Sequence, residues 1–84
     1  MKCYEMELVV KVMILAGGTD RGYFKVKINA NDSYNAVLQA TQIFTLEDFK
    51  FMQETKKKEY QYTRSWEKAF NYKIEEVRNV KLIK

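Results

Sequence analysis

Two runs of alternating character dominate the opening of the chain, ELVVKVMILA (7–16) and YFKVKINA (23–30), separated by the turn-prone GGTDRG. Side chains on a strand alternate between faces with period two. In the second run, Phe24, Val26, Ile28 and Ala30 therefore form an apolar face, and Tyr23, Lys25, Lys27 and Asn29 a polar one. The first run differs. Leu8, Val10, Val12 and Ile14 share one face, but the other holds Val9, Met13 and Leu15, with only Lys11 interrupting it. A strand apolar on both sides belongs in the middle of a sheet. Gly17, Gly18, Asp20 and Gly22 are expected to form the turn of a β-hairpin with a loop of four to six residues. Tyr4 and Met6 continue the core alternation back toward the start.

Periodicity then changes. Asp32 or Ser33 can accept a hydrogen bond from an orphan backbone N–H at a helix start. Behind them Ala36, Val37, Ala40, Ile43 and Phe44 recur at three- and four-residue spacing, which predicts a helix over 33–44. Thr45 can cap a second helix, 46–57, with Glu47 and Asp48 in its first turn and Leu46, Phe49 and Met52 on one face. From there to Trp66 the pattern is mixed, because Tyr60, Tyr62, Arg64 and Trp66 alternate as a strand would. Ser65 is a candidate cap for a short turn over 66–71. The closing segment, 72–84, is rich in β-branched residues and predicts a third strand whose alternation slips at Glu75–Glu76, where a bulge is expected. Together these elements predict a single α+β domain: an antiparallel three-stranded sheet in the order 2-1-3, with one or two helices packed on one face.

The run Val12–Gly18 resembles the opening of the sugar-nucleotide pyrophosphorylases, in which a strand feeds a glycine-rich loop that cradles nucleotide phosphates. The likeness is short, and Thr19-Asp20-Arg21-Gly22 departs from that family's continuation. The bare residues read as an apolar strand entering a turn.

Composition narrows the chemistry. The chain has 84 residues, no histidine, no proline and one cysteine. A core this small buries little more than half of the unfolded surface, so self-association as a dimer is one expected behaviour. Without histidine and with Cys3 alone, zinc and copper sites lack their usual ligands, and Cys–His or Ser–His pairs cannot form within the chain. The neighbouring carboxylates Glu47–Asp48 and Glu75–Glu76 read as a helix start and a solvated face. No enzyme activity, cofactor or metal is expected. The lone cysteine suits a reducing, cytoplasmic setting. Glu5, Glu7 and Lys11 break the apolar run that a leader peptide would need, and no stretch predicts a membrane span. Twelve lysines against three arginines, with abundant Asn, Tyr, Phe and Ile, is a bias of AT-rich genomes such as those of many phages.

Two kinds of partner remain. The surplus apolar positions Val9, Met13 and Leu15 predict a face covered either by the chain's own middle segment or by another protein or a second copy, the latter as in a small phage-type regulator or inhibitor of a host enzyme. Alternatively, the net charge of +4 and the interleaving of cations with aromatic rings point to RNA or single-stranded DNA. On that reading Tyr23, Lys25, Lys27, Lys56, Lys57, Lys58, Arg64 and Trp66 supply phosphate contacts and stacking surfaces.

Overall fold

The computed structural model describes residues 1–55 and 64–83. Strands β1 (Lys2–Ile14) and β2 (Thr19–Ala30) form the hairpin, followed by helices α1 (Ser33–Ile43) and α2 (Leu46–Thr55). A 3₁₀ helix (Arg64–Lys68) then leads into β3 (Ala69–Leu82). The sheet is antiparallel throughout, in the order β2-β1-β3. This is the predicted α+β arrangement, with the doubly apolar strand at its centre.

The alternation seen in the sequence sorts the side chains. Tyr4, Met6, Leu8, Val10 and Val12 of β1 and Phe24, Val26, Ile28 and Ala30 of β2 are all buried on one face. Both helices and the 3₁₀ helix pack on that side. Ala36 and Ala40 are wholly buried, their small side chains letting α1 lie close to the sheet, and Phe49 brings α2 into the same core. The helix starts follow the capping residues. Asp32 Oδ1 accepts from the Asn35 backbone N–H at 2.8 Å. At α2, the Thr45 hydroxyl accepts from the Asp48 N–H at 3.2 Å, while the Asp48 carboxylate accepts from the Thr45 N–H at 2.8 Å. That reciprocal pair satisfies two backbone donors at once. The Tyr72 hydroxyl donates to the Phe44 carbonyl at 3.0 Å, tying the end of α1 to β3.

Two expectations are corrected. Residues 15–18 alone make the turn, with Gly17 and Gly18 both at φ +92°, a conformation that side-chain-bearing residues rarely adopt. Asp20 and Gly22 lie within β2, opposite Val12 and Val10. Gly22 is required by packing instead: a Cβ there would come within 2.7 Å of Trp66 Cζ2 and 2.8 Å of the Phe24 ring. Second, the turn expected over 66–71 is a 3₁₀ helix that begins earlier, and β3 starts at Ala69. The expected continuation of α2 to residue 57 and the alternation of Tyr60 and Tyr62 lie outside the described residues. The glycine-rich run at 17–18 closes a hairpin and leads into a strand, not into a helix as in a phosphate-binding loop.

The slip foreseen at Glu75–Glu76 is present, and β3 carries two more. Its register against β1 shifts between Glu5 and Glu7, between Val9 and Val10, and between Met13 and Ile14. Asn79, in the first of these, has φ 57°. Each irregularity adds a residue to β3 and bends it, whereas β2 pairs with β1 without interruption from Lys2–Ala30 to Met13–Thr19.

Candidate interaction surface

The face of the sheet opposite the helices bears the polar rows of all three strands. By register, β2 contributes Arg21, Tyr23, Lys25 and Lys27, β1 contributes Glu5, Glu7, Val9, Lys11 and Met13, and β3 contributes Asn71, Lys73, Glu76, Arg78 and Lys81. Charges of both signs interlock here. Glu5 lies 3.7 Å from Lys25 and 3.8 Å from Lys81. Glu7 takes a hydrogen bond from Arg78 Nε, and the Arg78 guanidinium sits 5.2 Å from the centre of the Tyr23 ring. Arg21 of β2 reaches over the central strand to Glu75 of β3 at 2.6 Å.

That last pair has a titration consequence. The Arg21 hydrogen bond holds the Glu75 carboxyl below its ordinary value of 4.5, helped by the charges of Arg21, Lys11 and Lys73 and opposed by partial desolvation. A carboxyl with a lowered folded-state pKa contributes stability above its unfolded value and loses it as pH falls through the folded one. The stability difference between the wild type and Glu75→Gln is therefore expected at neutral pH and should vanish as the pH is taken well below 4.5. Urea titrations of both proteins across that range check it. A difference that persists undiminished in acid would mean that the carboxylate charge is not what the pair uses.

The structure redistributes the residues singled out from the sequence. Val9, expected on an open apolar face, is only 6% exposed, hemmed in by its cross-strand neighbours Tyr23 and Glu76. It is a packing residue, not a docking one. Met13 is half-buried, and Leu15, in the turn, is 75% exposed. Tyr23, Lys25 and Lys27 do share the open face. Trp66 does not: at 1% exposure it lies in the core and cannot stack on a base. Arg64 opens the 3₁₀ helix, and Lys56, Lys57 and Lys58 lie outside the described residues.

One residue that the sequence reading passed over joins the surface. Phe70, 57% exposed, is the extra residue between the Met13–Asn71 and Ile14–Ala69 pairs. The Leu15 N–H donates to the Lys68 carbonyl at 3.1 Å, so the turn is docked where β3 begins. Leu15 and Phe70 thus stand at the same end of the sheet. The only sequence signal for this was an aromatic residue in a segment of mixed periodicity.

No protein family, curated protein or solved structure matches this chain. Its surface has to be read from its own chemistry. A depression of about 450 Å³ on the open face is lined by Glu5, Glu7, Lys25, Asn79, Val80 and Lys81, and both its carboxylates are engaged by cations. A second, about 400 Å³, lies between α2 and the 3₁₀ helix, lined by Glu47, Lys50, Phe51, Glu54, Trp66 and Glu67. Among the described residues no group of three or more Cys, Asp or Glu could hold a metal ion, and no helix is long and apolar enough to cross a membrane.

Proposed function

We propose that the chain is a non-enzymatic protein-binding module, suited to act as a small regulator or inhibitor of a larger partner. The observation that carries this reading is the apolar pair Leu15 and Phe70, held at one end of the sheet by the turn-to-β3 hydrogen bond and flanked by half-buried Met13. Large apolar side chains exposed together are characteristic of contact sites, and aromatic anchors dominate binding energy when a partner desolvates them. The open face beside them supports a protein partner better than a nucleic acid. Four of its cations already face carboxylates of the same sheet: Arg21, Lys25, Arg78 and Lys81. Neutralising phosphates would mean giving up those pairs, and the tryptophan that would have stacked on a base is buried.

Affinity capture from the native host, with and without nuclease, tests the reading. A protein recovered equally under both conditions is expected. Leu15→Glu and Phe70→Glu should weaken its capture by roughly tenfold or more. Both positions being exposed, their thermal stability should stay within about 0.5 kcal/mol of wild type. A catch that disappears with nuclease would favour the nucleic-acid alternative. A strictly monomeric chain that recovers nothing would remove both the partner and the homodimer.

A further inference from the structure

Among the described residues, the two outer edges of the sheet are unlike. The outer side of β3 is broken by three register shifts and by the positive φ of Asn79, features that spoil a template for strand pairing. The outer side of β2 is not. Its twelve residues pair with β1 in unbroken register, and none of the backbone hydrogen bonds made outside helices and strands among the described residues involves β2. A regular edge offers its unpaired N–H and C=O groups to an incoming extended segment.

The charges beside that edge select what can pair there. Lys25 and Lys27 occupy successive positions on the open face, with Glu5 the cross-strand neighbour of Lys27. Glu7, opposite Lys25, is engaged by Arg78, and Glu5 is shared between Lys25 and Lys81. The Lys25 side chain remains 70% exposed, and Lys27 forms no ion pair among the described residues. A second copy paired antiparallel about Lys25 would set lysine against lysine, and like charges directly opposite destabilise a strand pair. An acidic strand would meet the reverse.

We propose that the β2 edge accepts an extended acidic segment of a partner protein as a fourth strand. The segment carries Asp or Glu at alternate positions, opposite Lys25 and Lys27, with apolar residues between them. The assignment rests on the reading of the chain as a protein-binding module but uses a different surface from Leu15 and Phe70.

The probe is a short capped peptide alternating glutamate with valine, compared with its lysine counterpart, against the full chain. Amide shifts and slowed exchange confined to Thr19–Ala30 are expected for the glutamate peptide alone, and they should weaken with salt. The double variant Lys25→Glu/Lys27→Glu should bind it about tenfold more weakly and bind the lysine peptide instead. Its unchanged far-ultraviolet dichroism would show that it is folded. Leu15→Glu should bind the peptide as wild type does. Four results overturn the proposal: no binding, perturbation that maps to β3, a wild-type dimer protected along β2, or oligothymidylate binding at β2 while the peptide does not. A chain that captures a host protein yet ignores the peptide refutes the edge assignment while leaving partner binding intact.

Discussion

Truncating Trp66 to alanine should destabilise the domain by about 3 kcal/mol, at the low end of the roughly 3–5 kcal/mol seen for large buried aromatics. Its indole packs edge-on against Phe24, with ring centres 5.6 Å apart, and Phe24 in turn meets Phe49 at 5.3 Å. Phe49 continues the chain to Phe44 at 5.7 Å and Tyr72 at 5.5 Å. One row of rings thus joins the 3₁₀ helix, β2, α2, the end of α1 and β3. Removing its first member leaves a cavity and frees the 3₁₀ helix from the sheet. The low end is expected because the indole Nε1 is buried without a hydrogen-bond partner among the described residues. Leaving such a donor unsatisfied costs about 1–3 kcal/mol, which truncation recovers in part. Trp66→Phe separates the two effects. It keeps a ring against Phe24, discards the orphan donor, and should cost no more than about 1.5 kcal/mol. A domain of this size has roughly 4–13 kcal/mol in hand, so the alanine variant gives up a large share of it. Since Trp66 is the sole tryptophan, urea unfolding is followed by circular dichroism, and the midpoint should fall without a change in slope. An alanine variant as stable as wild type would mean that the 3₁₀ helix is not part of the core.

How much of this was legible depends on how local each cause is. The two faces of β2, the central place of β1, the caps at Asp32 and Thr45 and the bulge near Glu75 follow from residues within a few positions of one another. They could be read directly, and with them the sheet order. The open face could not. Arg21 and Glu75 are 54 residues apart, and Glu7 and Arg78 are separated by 71. Composition shows that such charges exist, but only the β1–β3 register decides which of them meet. Val9 looked like surplus apolar surface for the same reason, since its cover comes from β2 and β3. Trp66 looked accessible because it ends an alternating polar and aromatic run, while its seat is made by Gly22 and Phe24, far upstream. Phe70 became part of the surface only through a bulge that periodicity alone did not place.

Gly22 is where local and distant reasoning disagree most directly, and its replacement by alanine decides between them. It is not among the glycines with positive φ, so the backbone there places no bar on a side chain. Glycine inside a strand is ordinarily worse than alanine by about 0.5–1 kcal/mol. On conformational grounds alone Gly22→Ala should therefore stabilise. The new methyl would, however, lie 2.7 Å from Trp66 Cζ2 and 2.8 Å from two atoms of the Phe24 ring, both residues fully buried. Overpacking of that kind costs about 1–3 kcal/mol, more than the conformational gain, so a net loss of about 1–2 kcal/mol is expected. The cause can be isolated by a double-mutant cycle. With Trp66→Phe in the background the benzo ring that carries Cζ2 is gone, and the alanine should be tolerated better, by about 0.5 kcal/mol or more. If Gly22→Ala instead raises the unfolding midpoint, or costs the same in both backgrounds, the glycine does not make the seat for Trp66, and the row of rings that depends on that seat must be drawn differently.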